Sequence, residues 1–79
     1  MNRKINPELG NALRQARKEA RISLRKAGKE MGISPSRLSK LERAKILMDS
    51  LEEMLKVSKF YNIPIEQIVE LRLKEEEEK

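Results

Sequence analysis

Between Ser23 and Arg43, two short segments with helical patterning are separated by only three residues, Gly32-Ile33-Ser34. So short a connection forces two helices to cross at a steep angle. The crossing brings their backbones together, and small residues are needed where they meet. Ala27 and Gly28 stand on the first segment at that place. Glycine in a helix interior costs roughly 1 kcal/mol relative to alanine, so Gly28 points to a packing requirement. Ile33 is placed to fill the space under the turn. Gly32 suits the end of the first segment, because glycine adopts left-handed backbone without a side-chain clash.

Similar punctuation predicts five helices along the chain. Asn6 followed by Pro7 is a good start pair for the first, with Leu9, Leu13, Ala16 and Ala20 on one face. Ser23 caps a second helix over Leu24–Met31. Ser34, with Pro35 at the first position, opens a third that ends near Arg43, with Leu38 and Leu41 facing inward. A fourth carries two overlapping capping signals, Asp49…Glu52 and Ser50…Glu53. Its expected buried stripe is Leu51, Met54, Leu55, Ser58 and Tyr61, and Asn62 is its expected C-cap. The fifth begins around Pro64 and turns Ile65, Ile68 and Val69 to the core. Leu71 and Leu73 extend its apolar surface further. Strand signals are poor: few aromatics, few β-branched runs, no Asn-Gly or Asp-Gly turn. The expected organisation is one all-α domain over 1–73 and an acidic, frayed or disordered tail over 74–79. Acidic residues there oppose the negative end of a helix dipole.

Composition removes most chemistries. The 79 residues contain no Cys and no His, so there is no disulfide, thiolate metal site, Ser/His or Cys/His nucleophile pair. An enzyme is not expected, nor is a cofactor, metal or small-molecule ligand. Residues 1–9 carry charge without the apolar core of a secretory signal, and no stretch approaches the roughly 20 apolar residues of a membrane span. A cytoplasmic protein is expected. The net charge of +5 is divided unevenly: 13 Lys/Arg against 4 Glu over 1–45, and 5 Lys/Arg against 9 Asp/Glu over 46–79. The basic part attracts phosphate and the acidic part does not.

With Leu38 and Leu41 inward, the third helix shows Ser36, Arg37, Lys40 and Arg43 on its other side. Short polar and basic groups near the start of an exposed helix suit the DNA major groove. Arg37, in bidentate fashion, or Lys40 can donate to guanine. Ser36 can serve either base type, and Pro35 can touch a thymine methyl. The freed backbone N–H groups near Ser23–Arg25 can bind a phosphate. Only Tyr61 and Phe60 are aromatic, and both are expected to pack. There is no aromatic series for stacking single-stranded bases.

The run from Leu9 to Val69 resembles the Cro/C1-type, or XRE-like, helix-turn-helix regulators of bacteria and phages. The resemblance rests on Leu13-Arg14-x-x-Arg17, Ile22-Ser23, Gly32-Ile33-Ser34, Leu38-Ser39-Lys40-Leu41-Glu42-Arg43 and Ser50-Leu51 through Ile63-Pro64-Ile65. It implies a five-helix, lambda-repressor-like DNA-binding domain with its helix-turn-helix at about 24–43. It further implies base reading by Pro35, Ser36, Arg37 and Lys40, and a structural ion pair between Arg17 and Glu42. Arg14, Arg43 and Lys45 fall where backbone contacts are expected, beside Ser23 and Arg25.

Three departures from the family pattern stand out. Leu24 replaces a Gln that commonly braces a phosphate. Ala44 replaces a Gly, so the third helix runs on or ends with strain. The following loop, Ile46-Leu47-Met48, is apolar where it is usually polar. That loop, with Leu71 and Leu73 as a competing surface, is the expected dimer interface. The function expected is a sequence-specific double-stranded DNA-binding regulator, a repressor acting as a homodimer on an inverted repeat. The alternatives are an antitoxin-type protein that also holds a partner protein, and a protein-interaction adaptor that keeps only the fold.

Overall fold

Helix starts in this chain are set by short polar side chains that take over freed backbone donors. Ser23 Oγ accepts from Lys26 N–H at 3.1 Å, Ser34 Oγ from Arg37 N–H at 3.1 Å, and Ser50 Oγ from Glu53 N–H at 3.0 Å. The computed structural model describes residues 6–76, with side chains to residue 74. It contains α1 (Glu8–Glu19), α2 (Leu24–Met31), α3 (Pro35–Glu42), α4 (Leu51–Tyr61) and α5 (Ile65–Glu76). No strand occurs among the described residues. The all-α, five-helix expectation therefore matches the architecture. The first helix starts one residue later than expected, because Pro7 has ψ near 4° and stands outside it. Asn6 still serves it, accepting from Glu8 N–H at 2.9 Å.

Four helices end alike. Arg21, Gly32, Ala44 and Asn62 each take positive φ, and the next N–H donates back to a carbonyl five residues earlier: Ile22 to Arg17, Ile33 to Gly28, Lys45 to Lys40, Ile63 to Ser58. This is the closing bond of a Schellman turn. Thus α3 does not run on; it stops at Glu42 with Ala44 strained. The fifth helix passes the expected boundary at Leu73 and continues to Glu76, with Lys74 Nζ 3.4 Å from Glu8. The end of the acidic tail, 77–79, lies outside the described residues.

Packing runs from α2 onto α3, from α3 onto α1, and from α1 onto α5 and α4. The core joins Leu9, Leu13, Ala27, Met31, Ile33, Leu38, Leu41, Met48, Val57 and Ile68. Two glycines allow the close approaches. A Cβ on Gly28 would collide with the Ile33 carbonyl, and one on Gly10 would lie 2.6 Å from the Glu42 carbonyl oxygen. Both neighbours are backbone and cannot swing away.

Some expected faces are corrected. Ala20 is exposed, so the buried side of α1 fades after the half-buried Ala16. On α4 the stripe is rotated. Val57 is fully buried, and Met54, Ser58 and Tyr61 are half-buried. Leu51 is instead 60% exposed and Leu55 is also exposed. Both stripes have helical spacing, and packing against α5, α1 and α2 selects the one through Val57.

Candidate nucleic-acid interface

The outer face of α3 is built by elimination. Leu38 and Leu41 are buried, which leaves Ser36, Lys40 and Arg43 at helical spacing on the opposite side, all exposed. Pro35 is exposed at the first turn. The helix is fixed from beneath. Arg17 Nε donates to Glu42 Oε2 at 2.8 Å and Nη2 to Oε1 at 3.1 Å, while Nη1 donates to the Ile22 carbonyl at 3.0 Å. The Glu42 side chain is only 4% exposed. The Glu42 hydrogen bond holds the Arg17 pKa above its ordinary value, against the opposing effect of burial. One arginine thus ties the end of α3 to α1 and to the segment leading into α2.

Arg37 lies one step round α3, toward α4. Its Nε donates to Glu53 Oε2 at 2.7 Å, and its Nη2 to Glu53 Oε1 at 2.9 Å and to Asp49 Oδ1 at 3.4 Å. The Glu53 bond, opposed by burial, keeps the guanidinium pKa above its usual value. With Nε and Nη2 committed, the bidentate fork to guanine expected of Arg37 is not on offer in this state. Its Nη1 carries no hydrogen bond among the described residues. The sequence signalled Ser50…Glu53 as a capping pair. Ser50 does cap, but the Glu53 carboxylate goes to Arg37.

The residues expected on the DNA backbone, Arg14, Ser23, Arg25, Arg43 and Lys45, are all exposed. Ser23 and Arg25 line a shallow groove with Lys26, Lys29 and Glu30 at the start and outer side of α2. Leu24, at the position of the family's Gln, is half-buried against the core. Of the expected interface residues, Met48 is 1% exposed and belongs to the core. It offers no surface to a partner, because α4 and α5 leave it covered. Ile46, Leu47 and Leu71 are half-buried, and Leu73 is 54% exposed. Leu73 lines a groove with Asp49, Met54, Val69 and Arg72.

Two serine-capped helices, packed on each other and joined through Gly32, form a helix-turn-helix. A family model described as a helix-turn-helix domain matches residues 8–71. The chain belongs to that family. Membership makes it a DNA-binding domain of the helix-turn-helix class, in line with the resemblance to Cro/C1-type proteins. No curated relative matches the chain. Among solved structures, this helix-turn-helix chain is similar to two of the clp gene regulator ClgR from Corynebacterium glutamicum. One has 27% identity and a TM-score of 0.67, covering 85% of this chain and 86% of that one. The other has 27% identity and a TM-score of 0.69, covering 85% and 70%.

Proposed function

We propose that the chain is a sequence-specific double-stranded DNA-binding transcriptional regulator. The observation that carries this reading is the outer face of α3, where Ser36, Lys40 and Arg43 stand exposed on a helix locked by the Arg17–Glu42 pair. The likeness to ClgR, a clp gene regulator, supports it. So does the concentration of positive charge in residues 1–45.

In this reading α3 enters the major groove. Ser36, Lys40 and Pro35 meet base edges, and Arg37 adds a single donor through Nη1. Arg14, Ser23, Arg25, Arg43 and Lys45 hold the phosphates and set the register. One chain carries one reading helix and measures 35 Å in its longest dimension. Two copies are therefore needed to read half-sites about 34 Å apart on one turn of DNA. The protein acts in the cytoplasm as a homodimer on an inverted repeat and represses by occupying a promoter. Its interface draws on Ile46, Leu47, Leu71 and Leu73, extended by the exposed Leu51 and Leu55.

Selection of binding sites from a random duplex library at two salt concentrations tests this. Recovery of an inverted repeat, with affinity falling steeply as salt rises, is the expected result. Equal binding to every sequence would sink it. Lys45→Ala should weaken all sequences alike, whereas Lys40→Ala should relax preference at particular bases.

A further inference from the structure

The fork between Arg37 and Glu53 joins the reading helix to α4. Its geometry is that of a side-on guanidinium–carboxylate pair, two short parallel bonds of 2.7 and 2.9 Å. Such pairs add directional specificity as well as energy. The Glu53 side chain is 12% exposed and that of Arg37 35%. Pulling Arg37 away would leave a largely desolvated carboxylate without the cation that hydrogen-bonds it, a costly state. The more exposed Asp49 takes the second Nη2 proton. Nη1 alone makes no hydrogen bond among the described residues.

We propose that Glu53 is a specificity-determining positioning residue: from α4 it holds Arg37 so that only Nη1 reaches DNA, at one place and in one direction. This rests on the DNA-reading role of α3. A long arginine without such a buttress has many rotamers and settles on whichever phosphate is near, which raises affinity for every sequence. The clamp withholds that contact. Glu53 touches no DNA in this account; it acts through Arg37.

The test compares the full chain with Glu53→Gln, Arg37→Ala and the double variant. The readouts are affinity for the selected site, affinity for a scrambled duplex, and the salt dependence of both. For Glu53→Gln, scrambled-site affinity should rise, with a salt slope steeper by about one. The specific-to-scrambled ratio should fall about tenfold, the size of one lost base contact. In the Arg37→Ala background, Glu53→Gln should leave the ratio unchanged, which a purely structural role for Glu53 would not produce. An unaltered ratio in Glu53→Gln, or the same fall with Arg37 already removed, overturns the proposal. If Glu53→Gln does not fold, Glu53→Asp carries the test. It keeps the charge but is one methylene short of the fork, and should lower the ratio in the same direction; an unaltered ratio again overturns the proposal. A parent chain that selects no site defeats the proposed function itself. A parent that selects one while Glu53→Gln keeps its preference defeats only the clamp.

Discussion

Ala44 holds φ at 58°, a left-handed conformation in which a Cβ is crowded by the following backbone. The position must be left-handed, because Lys45 N–H has to fold back to the Lys40 carbonyl to close α3. Glycine would relieve the strain and lose part of the gain to a more flexible unfolded chain. Ala44→Gly should therefore stabilise by about 0.5–1 kcal/mol, raising Tm by roughly 3–6 °C in thermal unfolding. Tyr61 raises a different residue-level question. Among the described residues its hydroxyl is a buried side-chain atom without a hydrogen-bond partner. Its pKa is pushed up to about 12, first by burial and then by the nearby Glu42 charge, with Arg17 pulling the other way. The folded state thus keeps a proton that the unfolded chain loses near pH 10. Stability from this group is intact below pH 10 and is lost as pH rises toward 12. Tyr61→Phe should remove that loss, so the Tm difference between variant and parent should widen between pH 9 and 11.5. A constant difference would refute the account.

At the scale of elements, the Arg17–Glu42 pair ties the end of α3 to α1. Glu42 is almost fully enclosed, so removing Arg17 strands a buried carboxylate. Such losses run to about 3–5 kcal/mol, a large share of the stability of a small domain. Arg17→Met should lower the urea midpoint sharply. Arg17→Met with Glu42→Gln should recover much of it, since the charge left behind is gone. Helix starts and their signals agree closely here, because a serine cap acts over three residues and needs nothing from the rest of the chain. The clamp on Arg37 is of the other kind. Glu53 lies sixteen residues away on α4, and no local rule pairs the two. Its local signal, the capping box with Ser50, pointed to a backbone partner.

For the whole molecule, the exposed leucines matter most. Leu51 and Leu55 lie one turn apart on α4, and Leu73 stands on α5. A dimer through these elements would cover apolar surface that the monomer leaves in water. Leu51→Asp with Leu73→Asp should leave the monomer fold intact by circular dichroism, because neither side chain is in the core. The same variant should run as a monomer in analytical ultracentrifugation and lose affinity for the full inverted repeat far more than for a half-site. A variant that stays dimeric would move the interface elsewhere.

The helix-turn-helix of the opening run was readable in the residues themselves: Ser23, Gly32, Ser34 and Pro35 act locally, and Gly28 announced a contact that proved to be the Ile33 carbonyl. The Arg17–Glu42 partners were legible through the family resemblance. Three things waited for the tertiary structure. One was the rotation of α4, since two apolar stripes with equal spacing differ only in what packs against them. A second was Gly10, whose need for space comes from α3, thirty residues on. The third was the state of Arg37, whose position on α3 made it a free reader until α4 brought Glu53 alongside. Caps and turns are decided within a few residues of chain, whereas faces and side-chain partners are decided by which helix happens to lie next to them.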